Sequence, residues 1–172
     1  HFRRASRSGP DHYDEIWSQG EGQWNRYWYP SWDYPNDRFT YQGDIRGPEG
    51  LTVVTNSGHD LVNYLVMVAV GPYEQHVHPD DDTLVTFVPP GTSPEAVDRV
   101  LGPLPRMMTL FGDRTGLAYP YGSYRQIFVQ RFMYGAMENT SASIFGARFL
   151  VDDTVGETRT QVENIVAHEL AH

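Results

Sequence analysis

The sequence predicts an α+β fold, and two observations carry this prediction. Between residues 39 and 88, runs of β-branched and aromatic residues alternate with turn residues, which is typical of an antiparallel β-domain. After residue 93, apolar residues recur three and four positions apart, which is typical of helices that cover a core with one face. The 11 Tyr, 8 Phe and 4 Trp exceed what a disordered segment carries, so a folded chain is expected.

The stretch 24–38 is rich in Trp, Tyr, Pro and Asp and has no helical period. Because Pro30 and Pro35 move the residues before them out of the helical region, this stretch is predicted to be a loop. Its aromatic side chains are interpreted as packing anchors. Strands are predicted next at 39–45, 51–55 and 64–70, separated by turns at 47–50 and 56–60.

An acidic triplet at 80–82 follows Pro79 and is interpreted as a solvated linker at a domain boundary. His76 and His78 precede it, two positions apart, so they would share one face of a strand. Without a third ligand placed beside them, both are interpreted as surface histidines rather than as a second metal site. A further strand is predicted at 83–88.

The first helix is predicted to begin at Ser93, a suitable N-cap, with Pro94 at the first helical position. Gly102 and Pro103 interrupt its apolar pattern, so a kink or two short helices are expected. Short strands at 127–129 and 142–145 and an acidic turn at 152–153 are predicted to follow.

Composition excludes several classes of partner. A net charge of -9 argues against nucleic acid, whose phosphates require a basic face. No run of about 18 apolar residues exists, so this segment is expected to have no membrane span. The absence of cysteine excludes disulfides and thiolate metal ligands, and it leaves the redox compartment undecided.

The last helix is predicted to start at a T-x-x-Q capping box, Thr158 to Gln161, and to end in the pattern H-E-x-x-H. His168 and His172 are four positions apart, so both imidazoles can reach one metal ion. Glu169 lies beside them as a candidate base for a metal-activated water. This pattern on an amphipathic helix indicates a zinc hydrolase.

A second motif lies upstream, with the sequence Gly135-Ala136-Met137-Glu138-Asn139. Together, the two motifs resemble the G-A-M-E-N and H-E-x-x-H signatures of the aminopeptidase N-like zinc metallopeptidases, a gluzincin family. The segments 29–36, 64–73 and 119–121 are similar to the family's aromatic-Pro-x-x-Asp-x-Pro segment, to the closing strand of its β-domain and to the approach to its signature strand. The resemblance thus covers nearly the whole chain.

The resemblance implies a particular domain organisation. Residues 1–80 would be the C-terminal part of an N-terminal antiparallel β-domain, and residues 81–172 the N-terminal part of a thermolysin-like catalytic domain. The family's third zinc ligand, a Glu on a following helix, and its oxyanion-stabilising tyrosine have no counterpart in the sequence. The chain is therefore expected to be an incomplete segment, inactive alone and completed by the remainder of the polypeptide or by a complementing chain.

The resemblance also implies the function of a zinc-dependent aminopeptidase, which hydrolyses the N-terminal peptide bond of a peptide with a free N-terminus. One Zn²⁺ per complete site would be held by His168 and His172, with Glu169 as the catalytic base. Substrate-binding residues would be Glu138, which pairs with the free α-ammonium group, and its neighbours Gly135, Ala136, Met137 and Asn139. Two alternatives stay open: a related zinc hydrolase of the epoxide-hydrolase type, and a catalytically silent scaffold of the same fold.

Overall fold

The computed structural model describes residues 2–6, 14–151 and 156–172. The chain forms two compact units, one of residues 1–73 and 139–142 and the other of residues 74–138 and 143–172. Helices and sheets are both present, which confirms the α+β class. No helix in these described ranges is long and apolar enough to cross a membrane. The assignment of 1–80 and 81–172 to two domains of a larger enzyme stays a prediction.

The first unit is built from antiparallel strands. They are β1 (Phe2–Ser6), β2 (Asp14–Ser18), β3 (Phe39–Gln42), β4 (Thr52–Thr55), β5 (Ser57–Leu61) and β6 (Val68–Gly71). Among the described residues, one sheet has the order β1-β2-β6-β4, and β3 and β5 form a second sheet. Its buried apolar residues include Trp17, Val54, Leu61, Met67 and Ala69.

Two sequence predictions are wrong in this unit. Residues 56–60, predicted as a turn, lie largely in β5, which pairs with β3. The predicted strand 64–70 begins only at Val68, because the side chain of Asn56 forms hydrogen bonds with the backbone of Leu65 and Met67. The Asn56 side chain accepts a hydrogen bond from Met67 N (2.9 Å) and donates one to Leu65 O (2.8 Å). A side chain thus takes the place of a neighbouring strand.

Buried polar side chains hold the loop 24–38 in place, together with the partly buried Trp28 and Tyr29, which hydrogen-bond to Asn25 and Asn63. Asn25 is fully buried, and its Nδ2 donates to Asn63 O (2.6 Å) and Val66 O (3.1 Å). Asp33, also buried, accepts a hydrogen bond from the side-chain amide of Asn63. The interpretation as packing anchors is wrong for Trp24, Tyr27, Trp32 and Tyr34, which are 43–73% exposed.

The second unit contains a mixed sheet of five strands in its described part. They are β7 (Glu74–His78), β8 (Asp81–Val88), β9 (Tyr124–Val129), β10 (Ala136–Met137) and β11 (Ala142–Gly146), in the order β10-β11-β9-β8-β7. Strands β8 and β9 run parallel, and β10 and β11 run antiparallel. A parallel pair needs a long crossover connection. Helices α1 (Pro94–Leu101) and α2 (Leu104–Thr115) lie in that connection.

The acidic triplet 80–82 is not a linker, because it forms the turn and the start of β8 in the hairpin of β7 and β8. Asp81 Oδ1 accepts hydrogen bonds from the backbone N (3.0 Å) and Oγ1 (2.6 Å) of Thr83. These bonds lower the pKa of Asp81. The surface interpretation is wrong for His78, which is 8% exposed and whose Nδ1 accepts a hydrogen bond from Asp80 N (3.2 Å).

The predicted helix start at Ser93 is confirmed, since its Oγ accepts a hydrogen bond from Ala96 N (3.2 Å). The interruption at Gly102 and Pro103 separates α1 from α2, as expected. Helix α3 (Gly156–Ala171) begins before Thr158, so the predicted capping box is wrong. The acidic turn predicted at 152–153 lies outside the described residues.

The core between helices and sheet includes Val88, Val100, Leu104, Phe128, Phe145, Val162 and Val166.

Candidate active site

The burial pattern of α3 fixes how the H-E-x-x-H residues are presented. Val166 and Leu170 are buried in the core of the second unit, at 1% and 8% exposure. Glu169 directly precedes Leu170 and is 7% exposed, whereas His168 and His172 are exposed. The helix therefore directs its two imidazoles outward and holds the carboxylate between them and the core.

The two imidazoles meet at their Nε2 atoms. Nε2 of His168 and Nε2 of His172 are 3.2 Å apart, and the ring centroids are 4.8 Å apart with the planes nearly perpendicular. The two nitrogens are thus within hydrogen-bonding distance of each other. This contact requires the two residues to share one face of α3, which their four-residue spacing provides.

The same separation suits two ligands of one zinc ion. Two nitrogens at about 2.0–2.1 Å from Zn²⁺ with a tetrahedral angle between them lie about 3.3 Å apart. The observed separation of 3.2 Å is close to this value. Across the described ranges no group of three or more His, Asp or Glu side chains is placed to hold a metal ion.

The second motif forms the edge of the sheet. Ala136 pairs with Phe145 and Met137 with Ile144, so β10 is an outer strand that, among the described residues, has β11 on one side only. Gly135 precedes it with a φ of +93°, and its carbonyl accepts a hydrogen bond from Gly146 N (2.8 Å). The free side of β10 offers backbone groups to an extended chain.

Glu138 follows β10 directly and lies close enough to Glu169 to affect its ionisation. Burial, and to a smaller extent the negative charge of Glu138, together raise the pKa of Glu169 to about 7. Glu138 is itself only half-buried. Since α3 contacts β10, the second unit brings the carboxylates of both motifs to one place.

Asn139, the last residue of the second motif, is held by the protein itself. It is 2% exposed, and its Nδ2 donates to Leu65 O (3.0 Å) within the first unit. Met137 is 3% exposed. The chain thus passes from the second unit to the first between Glu138 and Asn139. A direct role for Asn139 in substrate binding stays a prediction.

Two further residues near the motifs, Tyr124 and Arg148, are not predicted by the sequence pattern. Tyr124 is buried, and its hydroxyl donates to Ser143 Oγ (3.0 Å). Burial raises the pKa of Tyr124 and keeps it protonated. Arg148 contacts the turn before β10 through a hydrogen bond from Nη1 to Phe132 O (3.0 Å). No sequence motif identifies either residue, because their contacts form only when the strands of the sheet pair.

Part of the chain is similar to a known peptidase domain, and longer stretches of it are similar to curated aminopeptidases. Residues 100–172 match the Peptidase family M1 domain. The resemblance to the aminopeptidase N-like family is therefore confirmed.

Three relatives illustrate the similarity. The chain is 26% identical over 165 residues to "Aminopeptidase N" of Streptomyces lividans, covering 84% of this chain and 19% of that protein. It is 24% identical over 184 residues to "Probable aminopeptidase 2" of Sulfurisphaera tokodaii, covering 94% and 23%. It is 22% identical over 174 residues to "Aminopeptidase B" of Mus musculus, covering 91% and 25%. The chain thus spans about a quarter or less of the length of these relatives.

Proposed function

We propose that the complete protein is a zinc-dependent aminopeptidase, in which residues 1–80 end an N-terminal β-domain and residues 81–172 begin a thermolysin-like catalytic domain. The 3.2 Å separation of the two Nε2 atoms on α3 carries this proposal, because it suits two ligands of one metal ion. The names of the relatives, all aminopeptidases, point to the same reaction.

His168 and His172 would hold the ion through neutral imidazole Nε2 atoms, while the remainder of the polypeptide or a complementing chain supplies a third ligand. When bound, zinc supplies Lewis-acid chemistry: it polarises the scissile carbonyl and lowers the pKa of water. The exposure of both histidines leaves room on the outer face of α3 for the further ligands.

Glu169 serves as the general base. Its carboxylate takes a proton from the attacking water and then delivers it to the nitrogen of the leaving amine. Its burial beside Leu170 suits this exchange, because a carboxylate with a raised pKa both accepts and returns a proton near neutral pH.

Glu138 restricts hydrolysis to the first peptide bond. Its carboxylate, at the end of β10, pairs with the α-ammonium group of the substrate by a charge-assisted hydrogen bond. Gly135 and Ala136 leave space for the substrate backbone to add as a strand along the free edge. Met137 and Asn139 support this edge from their buried positions.

The test uses the full-length protein, with zinc analysis and turnover of an aminoacyl chromogenic substrate and its N-acetylated form. We expect one zinc per site, cleavage of the free form and no cleavage of the acetylated form. Glu169→Gln should lower kcat by about 10²–10⁴-fold while zinc content is kept. The control Glu163→Gln changes a carboxylate on the same helix that pairs with Arg159 (3.1 Å), and it should leave kcat unchanged.

Each other result has a clear meaning. Unchanged activity in Glu169→Gln contradicts the assigned base. Hydrolysis of epoxides without hydrolysis of aminoacyl substrates favours the related zinc hydrolase. A full-length protein with neither zinc nor turnover is a silent scaffold.

A further inference from the structure

Arg148 joins the residues after β11 to the residues before β10. It lies in the 3-10 helix Ala147–Phe149, and its Nη1 donates to Phe132 O (3.0 Å). Its Nη2 lies against Gly135, where an added Cβ atom would be 3.1 Å from it. The guanidinium carbon is 5.0 Å from the centre of the Phe149 ring. One side chain therefore contacts both ends of the short connection that leads into the edge strand.

Strand β10 needs such support because it has only two residues. Its register rests on the pairs Ala136 with Phe145 and Met137 with Ile144, and on the hydrogen bond from Gly146 N to the carbonyl of Gly135. A strand with only two residue pairs constrains its own register weakly. A contact that holds the preceding turn thus helps to decide where the free edge of β10 lies.

The guanidinium group suits this task better than an ammonium group. Its planar fork donates a directed hydrogen bond while its face packs on an aromatic ring. Lysine offers a single flexible point charge and cannot make both contacts at once. Arg148 is exposed, so its removal leaves no cavity in the core and the fold should be retained.

We infer that Arg148 is a positioning residue: it sets the free edge of β10 for the binding of an extended peptide, and so governs affinity for peptides more than for minimal substrates. The inference rests on the proposed aminopeptidase function. Displacement of such an edge changes the alignment of the substrate rather than the chemistry at Glu169.

The test compares Arg148→Ala and Arg148→Lys with Arg114→Ala in the full-length, zinc-loaded protein. Arg114 is an exposed arginine in the last turn of α2 and serves as the matched control. For a pentapeptide, Arg148→Ala should raise KM about tenfold and change kcat less than about twofold, because uniform binding is lost. For an aminoacyl anilide, which has no backbone beyond the scissile bond, KM should change less than about threefold.

Two further readouts separate positioning from general destabilisation. Guanidinium ion at about 20 mM, far below denaturing concentrations, should restore part of the pentapeptide affinity of Arg148→Ala but not of Arg148→Lys, whose side chain fills the space. Amide hydrogen exchange of residues 132–137 should be faster in Arg148→Ala and unchanged in Arg114→Ala.

The outcomes distinguish this inference from the proposed function. A wild-type protein that binds zinc but cleaves no aminoacyl substrate overturns the proposed function. Unchanged hydrogen exchange in Arg148→Ala overturns the inference, and so does an equal rise in KM for the pentapeptide and the anilide. If Arg148→Ala does not fold, hydrogen exchange and the comparison of KM for the two substrates are measured on Arg148→Lys instead, and the same outcomes apply.

Discussion

Replacing Glu138 with Gln removes one negative charge at the end of β10 and keeps the size of the side chain. If the carboxylate pairs with the α-ammonium group of the substrate, this charge pair is lost. At a separation of about 4 Å and an effective dielectric constant of about 20, the attraction is about 4 kcal/mol. Because Glu138 is half-buried, solvent and desolvation reduce it to the range of hydrogen bonds to charged groups, about 1.5–3 kcal/mol.

That range corresponds to a fall in kcat/KM of about 10- to 150-fold for an aminoacyl anilide with a free amine. The assay pairs this substrate with its desamino analogue, which has hydrogen in place of the ammonium group. Glu138→Gln should leave kcat/KM for the desamino analogue within about threefold, so the difference between the substrates isolates the charge pair.

The same variant has a second consequence, for the pH profile. Glu138 contributes to the raised pKa of Glu169, so Glu138→Gln should lower that pKa. A general base must be deprotonated, and activity rises with pH through its pKa. The rise should therefore occur at lower pH in the variant, although burial, the larger cause, keeps the pKa above its ordinary value. Equal losses of kcat/KM on both substrates would contradict the charge pair, and a rise of activity displaced to higher pH would contradict the effect of Glu138 on Glu169.

Two further predictions concern the turns of the second unit. Gly135→Ala should lower the free energy of unfolding by about 1–2 kcal/mol, because φ of this residue is +93° and the new Cβ atom would approach Arg148. Chemical denaturation checks this, and Gly91→Ala, at φ +75° with open space around it, isolates the backbone strain. Asp81→Asn should lower the melting temperature at pH 7 but not near pH 2, because the lowered pKa of Asp81 gives stability above its unfolded-state pKa that is lost as pH falls. Melting curves from pH 2 to 7 test this, and an equal loss at every pH would contradict it.

Features set by neighbours in the sequence could be predicted. The N-cap at Ser93 and the break before Pro103 depend on local backbone chemistry, and both are confirmed. The contact between His168 and His172 follows from the helical repeat alone. These features need no knowledge of which strands pair.

Features set by distant contacts could not be predicted. The sequence does not predict β5, because the pairing of β5 with β3 overrides the turn preference of Asn, Ser and Gly. His78 is buried in the hairpin of β7 and β8, and no local pattern in the sequence predicts that burial. Arg148 carries no local signal, since its importance arises only when β11 places it beside Phe132 and Gly135.

The phase of α3 links the core of the second unit to its proposed chemistry. Val162, Val166 and Leu170 pack inward, and this fixes the rotation of the helix. If the apolar positions were displaced by one residue along the sequence, the helix would have to rotate by about 100° to bury them. Glu169 would then leave its buried position and lose the main cause of its raised pKa. The apolar stripe that stabilises the fold thus also separates the roles of the motif, with the carboxylate at the core and the two imidazoles facing outward.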